Sequence, residues 1–297
     1  MGTPDEVGGG AVSRPRRAAA PVRRGPRALG FLVGKLVVVS YFLILYLPIA
    51  WMLTMAFKRR VDITAMPPRI FFTPILTNFE WLFVHQDMIW PIIRSVLVAL
   101  GSVGIALALG SMAAYALSRA RWWRQQDIEF FIISTRMLPP IALILPYYAI
   151  WIQFRLFDNL VALALVYLAI NLPLVIWLML GYFRSIPVEI DEAARVDGCS
   201  LIGSFWYIAL PVSKGGLTVA AILGFIYTWG ELFFAFLLTA VNKTVPVALA
   251  SFMVVGLDVR YGEMAAAGTL AAIPSLILTI IARNSLVSGF RSLAGLK

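Results

Sequence analysis

The sequence predicts an all-α polytopic membrane protein with six transmembrane helices and a cytoplasmic helix-turn-helix loop. Three features predict it: the composition, the length of the uncharged runs, and the placement of the arginines. Of 297 residues, 61% are hydrophobic and only 13% charged, with a mean hydropathy of +0.86. A soluble domain has about 45–50% apolar and about 25% charged residues, so a soluble enzyme is almost excluded. The net charge of +10 does not point to nucleic acid, because six arginines (Arg14, Arg16, Arg17, Arg23, Arg24, Arg27) crowd the first thirty residues, opposed there only by Asp5 and Glu6. The single cysteine, Cys199, excludes an intrachain disulfide.

Crossing roughly 30 Å of hydrocarbon takes about 20 apolar residues. Four uncharged runs meet this without interruption, at residues 36–57, 95–118, 159–183 and 264–282. Two more carry one ionisable residue each: 130–154 contains Arg136 and 215–242 contains Glu231. Residues 70–93 read as an aromatic, interfacial stretch, since Pro74, Glu80, His85 and Asp87 break them up. Residues 245–257 are uncharged but too short to cross, which predicts a loop with a re-entrant or surface helix.

An even number of spans places both termini on one side, and lysine and arginine counts say which. The side of the N-terminal tail holds sixteen, including Arg119, Arg121, Arg124, Arg184, Arg195, Lys214, Arg283, Arg291 and Lys297; the other holds eight. Both termini are therefore expected in the cytoplasm, in a multi-pass protein of the inner or plasma membrane. A twin-arginine signal peptide is the rival reading of the N-terminus, but the first apolar run exceeds a signal core of about 7–15 residues and five spans follow. Residues 1–30, rich in Gly, Ala, Pro and Arg, are expected to be a disordered cytoplasmic tail near anionic headgroups and dispensable for chemistry. Residues 31–297 form the membrane domain.

Several chemistries are missing from the chain. Gly25 and Gly30 have the glycine spacing of a phosphate-binding loop, but Phe31 stands where its lysine belongs. One histidine, His85, and one cysteine leave no metal cluster and no Cys-His nucleophile pair. A membrane transport component survives, as does an intramembrane enzyme or ion-coupled secondary carrier with its own buried ionisable groups. Arg136 and Glu231 are such groups, and charges at membrane depth face protein or water. Arg136 could instead snorkel to the headgroups, but Pro139, Pro140 and Pro146 behind it favour an irregular helix lining a cavity. Glu231, between Trp229 and Phe233, is open to pathway lining or to a structural pair with another helix.

The long hydrophilic loop at 184–211 reads as helix, turn, helix. Pro187 suits a first helical turn, Glu189, Asp191 and Glu192 complement the helix dipole, and Gly198 supplies a left-handed stop. Ser200 can cap a second helix with an apolar stripe of Leu201, Phe205 and Ile208, ended by Pro211. Ala193 and Ala194 leave a smooth face that could seat in a partner's groove; an amphipathic pair lying on the bilayer is the equal alternative.

This loop carries a resemblance. Glu192, Ala193, Ala194, Gly198, Ile208, Leu210 and Pro211 match in full the E-A-A…G…I-x-L-P signature of the permeases of ABC importers. From about Leu36 onward the chain resembles the shorter six-span permease of maltose-type carbohydrate importers, through A-A-Y-A-L-S-R at 113–119, S-T-R-M-L-P-P at 134–140 and T-V-P-V-A-L-A-S-F at 244–252. Gly230 departs from it, standing where such permeases often have Asn before the glutamate. The resemblance implies half of a translocation pore for a sugar, sugar alcohol or oligosaccharide; the same fold importing glycerol phosphate is the alternative. It implies a second permease as heterodimeric partner, a dimeric ATPase that uses ATP and Mg while this chain binds no cofactor, and an extracytoplasmic substrate-binding protein, with membrane lipid around and no nucleic acid. The residues it assigns to ATPase coupling are Glu189, Glu192, Ala193, Ala194, Asp197, Gly198, Ile208, Leu210 and Pro211. Arg136, Pro139, Pro140, Trp229 and Glu231 are the expected pathway residues. Residues 241–263 would face the binding protein, and the C-terminal tail the ATPase.

Overall fold

The computed structural model describes residue 2 and residues 27–120, 123–252 and 260–293. Most of the basic tail, Arg121, part of the 241–263 loop and the last four residues lie outside these. The helices are α1 (Arg27–Ala56), α2 (Arg60–Ile63), α3 (Thr77–His85), α4 (Ile89–Arg119), α5 (Gln125–Ser134), α6 (Pro140–Gln153), α7 (Leu160–Arg184), α8 (Val188–Val196), α9 (Leu201–Ser204), α10 (Leu210–Val212), α11 (Lys214–Gly230), α12 (Phe233–Leu238), α13 (Val245–Phe252) and α14 (Tyr261–Leu293). No strand occurs among the described residues. Helices α1, α4, α7 and α14 are long and apolar enough to cross a membrane unbroken, and two bent pairs bring the number to six.

The bends follow from sequence. The pair 125–137 and α6 turns through 84°, because Leu138 (φ −64, ψ 127) and Pro139 (φ −61, ψ 130) are extended. A residue before proline is driven out of the helical region, and here two such residues stand in series. Pro140 then opens α6, where a missing N–H costs nothing. The second bend, 77°, lies between residues 201–212 and α11.

Four expectations need correction. The 215–242 run is not one continuous helix: α11 stops at Gly230, Glu231 is extended (φ −74, ψ 122), and α12 resumes at Phe233. The second long helix starts at Ile89, inside the stretch read as interfacial, since Pro91 sits in its first turn without breaking hydrogen bonds. Of the two alternatives for residues 245–257, the surface helix is the one that fails, since α13 buries Val245, Val247 and Ala248 in the protein interior. Arg27 to Gly30, assigned to the tail, are already helical.

Residues 1–49 and 50–297 form two separate compact units. In the first, every residue of α1 from Gly30 to Ile49 is exposed, so its apolar surface requires lipid or another chain. In the second, α4 lies against α7 so closely that a Cβ at Gly110 would stand 2.7 Å from Val175 Cγ1. Small residues permit such approach where lipid supplies no hydrophobic drive between helices. At the end of the bundle that carries the 184–213 loop, Tyr115, Phe183, Ile186 and Phe205 form one core cluster. Toward the opposite end, Leu163, Val166, Tyr167 and Phe234 form a second.

Candidate functional site

The 184–213 loop is organised around a carboxylate that faces inward. Pro187 is the N-cap, α8 ends with Asp197 as C-cap, and Gly198 holds φ 90. Cys199 N–H donates to Ala194 O at 2.9 Å and Gly198 N–H to Arg195 O at 3.1 Å, the paired bonds of a Schellman stop. Ser200 caps α9 by accepting from Gly203 N–H at 3.1 Å. The second helix is irregular: residues Phe205–Ala209 are π-wound, with Leu210 N–H reaching Phe205 O. That extra residue per turn rotates the expected stripe, so Phe205 and Ala209 are buried while Leu201 is exposed and Ile208 half-buried. The helix also runs past Pro211, ending at Val212.

Of the coupling residues named from sequence, Glu189, Glu192, Ala193, Asp197, Gly198 and Pro211 are exposed, and Leu210 is half-buried. Ala194 is not part of an open face; it is 5% exposed and packs inward. Its inward neighbour is Asp191, with 8% side-chain exposure. Arg119, the last residue of α4, donates from Nε to Asp191 Oδ2 at 2.5 Å, from Nη1 to Phe183 O at 3.2 Å and from Nη2 to Ile186 O at 3.3 Å. Ser204 Oγ donates to Asp191 Oδ1 at 2.6 Å, and Tyr115 O–H donates to the same oxygen at 3.1 Å. Burial opposes ionisation of Asp191, but the bonds from Ser204 and Arg119, the Arg119 charge and Tyr115 outweigh it and hold the carboxyl below its ordinary range. Sequence reasoning placed Asp191 only as a dipole partner and missed Arg119, Tyr115 and Ser204. The signal was there: Tyr115 and Arg119 are four apart and share a helix face.

The second candidate region surrounds the bend between α5 and α6. A cavity of about 480 Å³ is walled there by residues that include Thr135, Arg136, Pro140, Tyr147, Pro173, Ile176, Tyr227 and Phe234. Arg136 is half-buried, its guanidinium 5.2 Å from the centre of the Tyr227 ring. Glu231 does not pair with it. Its carboxylate accepts from Phe233 N–H at 2.8 Å and Phe234 N–H at 3.1 Å, so it caps α12, and it accepts Tyr167 O–H at 2.7 Å. Trp229, 4% exposed, is not a wall of the cavity; it donates from Nε1 to Ala271 O at 2.8 Å and stacks on Phe225. Pro139 shapes the bend, and Pro140 reaches the cavity wall.

At the end of the bundle opposite the 184–213 loop, Asp158, at φ 60, accepts backbone N–H groups of Ala240, Val241 and Asn242 at 2.8–3.2 Å. Arg94 adds a bond from Nη1 to Val241 O at 3.1 Å. Sequence reasoning did not find this clasp, because its partners are backbone groups about eighty residues away. Among the described residues, no group of three or more His, Cys, Asp or Glu side chains could hold a metal.

A helical bundle with four apolar helices of spanning length, two bent helix pairs, a cavity at one bend and a polar loop at one end defines a polytopic helical membrane protein. The chain belongs to the family of binding-protein-dependent transport system inner membrane components, matching it over residues 106–292. It is 34% identical over 243 residues to a probable ABC transporter permease of Sinorhizobium fredii, covering 82% of this chain and 87% of that one. It is 30% identical over 272 residues to the trehalose transport system permease SugB of Mycobacterium tuberculosis, covering 90% and 97%. Its fold is that of a chain in the crystal structure of a bacterial ABC transporter that imports the acidic polysaccharide alginate, at TM-score 0.74 and 22% identity, covering 90% of this chain and 99% of that one.

Proposed function

We propose that this permease forms half of the pore of a carbohydrate importer and docks a dimeric ATPase through the exposed face of α8. The observation that carries the reading is the orientation of α8: Glu192 and Ala193 of the E-A-A signature face outward on a helix whose Asp191 and Ala194 face inward. The relatives' names support a saccharide as cargo, since one is a trehalose permease and a structural neighbour imports alginate. Tyr147 and Tyr227 in the cavity offer aromatic faces and hydroxyls suited to a sugar's apolar and polar sides, and Arg136 adds a fixed donor. A second permease completes the cavity, and an extracytoplasmic binding protein delivers the solute to the end that carries residues 241–263. Both termini and the 184–214 loop lie in the cytoplasm in this reading, and residues 1–30 serve as a basic tail beside the membrane domain.

Co-purification from membranes tests it. Wild-type permease brings down an ATPase and a second permease, and a saccharide screen of the associated binding protein yields a ligand. Glu192→Ala and Gly198→Asp insert normally but recover less ATPase and take up less solute. Unchanged recovery by both variants would return the loop to a helix pair on the bilayer surface. Reaction of a cysteine near Arg195 with an impermeant reagent in intact cells would overturn the orientation.

A further inference from the structure

We infer that the buried Asp191–Arg119 pair is the joint that passes ATPase movement from α8 into the walls of the cavity. The inference rests on the reading of α8 as the ATPase-docking helix and deepens it. Glu192 and Asp191 are consecutive, yet one faces outward and the other is buried, so a push on the first is borne by the second. Arg119 spends its three nitrogens on separate anchors: the α8 carboxylate, the final turn of α7 at Phe183 O, and Ile186 O beyond it. Asp191 Oδ1 takes the remaining contacts, from Ser204 of α9 and Tyr115 of α4. One carboxylate and one guanidinium thus join α4, α7, α8 and α9.

Little else fixes α8. Its buried residues are only Asp191 and Ala194, and nine residues are too few for a helix to hold itself together in water. A buried ion pair is a poor device for stability alone, since desolvation offsets its Coulomb gain. What this pair supplies is direction, through bonds of fixed geometry to carbonyls and hydroxyls. Beyond the joint the route is continuous. Arg119 ends α4, α4 packs against α7 at Gly110 and Val175, and Pro173 and Ile176 of α7 are cavity wall. Asp191 and Arg119 are positioning residues and touch neither nucleotide nor cargo.

The test reads transmission without needing the cargo. In a Cys199→Ser background, a cysteine is placed at Thr135 in the cavity, and its maleimide labelling rate is measured in the reconstituted complex with and without ATP, EDTA blocking hydrolysis. ATP changes the rate in the parent protein by a factor in the range of linked sites, roughly 5- to 150-fold. Asp191→Asn and Arg119→Gln recover as much ATPase as the parent but lose most of that response, and the double variant loses no more than either single. Glu192→Ala loses ATPase recovery instead. A full ATP response in Asp191→Asn, losses that multiply in the double variant, or ATPase recovery falling in the joint variants as in Glu192→Ala overturns the inference. If both singles fail to accumulate, Arg119→Lys and Tyr115→Phe carry the test: an undiminished response in both sinks the joint, a diminished one supports it. Failure of the docking reading is distinguishable, because there the parent protein itself recovers no ATPase.

Discussion

The loop at 184–213 and the bend at 134–140 each centre on one arginine and one carboxylate, and they use them in opposite ways. In the loop, Arg119 and Asp191 meet at 2.5 Å, and each guanidinium nitrogen and each carboxylate oxygen makes a hydrogen bond to protein. At the bend, Arg136 lies over Tyr227 while Glu231 turns to backbone N–H groups and to Tyr167. Pairing makes the first region a bolt. Separation leaves Arg136 on the wall of an open cavity, while Glu231 is spent on its own backbone and Tyr167. In each place the partner decides whether a charge is locked into the protein or left at a cavity wall.

Breaking the bolt gives the largest effect. Arg119→Ala leaves Asp191 buried without its cation and removes a donor from Ile186 O, a loss of about 3–5 kcal/mol; thermal unfolding in detergent reads it as a lower midpoint, and an unchanged midpoint would remove the contrast between the regions. Next is packing at the base of the bolt. A Cβ at Gly216 would stand 2.5 Å from the Tyr182 ring of α7, so Gly216→Ala forces apart two helices at a cost of about 1–3 kcal/mol, seen in the same assay.

At the bend, Glu231→Leu removes a helix cap worth about 1–2 kcal/mol and the partner of Tyr167. Expression survives and uptake falls, with Glu231→Gln, which keeps an acceptor, intermediate; wild-type uptake by the Leu variant would make the carboxylate dispensable. The smallest effect at neutral pH is titration of the bolt itself. Because Asp191 is held below the ordinary carboxylate range, its contribution is complete above about pH 5 and disappears only as pH falls through its lowered value. The unfolding midpoint of wild type therefore drops in acid more steeply than that of Asp191→Asn, and parallel curves would show that the pair contributes nothing.

Much of the fold could be read directly from the residues, and the reason is periodic chemistry. Four unbroken helices answer to four uncharged runs because lipid forces an apolar segment of that length to satisfy its own backbone. The turn at Gly198 was readable because few residues other than glycine tolerate φ 90. The break at Glu231 was not: no proline or glycine pair announces it, and the run around it is uniformly apolar. Only the carboxylate folding back onto the N–H groups of Phe233 and Phe234 explains why α11 stops there.

Composition and run length determined by themselves a polytopic helical membrane protein, and turn chemistry a helix-turn-helix loop, since hydrophobicity and turn chemistry are local; the E-A-A spacing supplied the likeness to importer permeases. Which charge is buried and which is exposed was decided by tertiary structure alone. Asp191 and Glu192 are adjacent carboxylates of nearly the same chemistry, separated in role by the roughly 100° that one residue turns an α-helix. The sequence contains both; only the arginine ending α4, seventy-two positions away, decides that Asp191 is the one drawn inside.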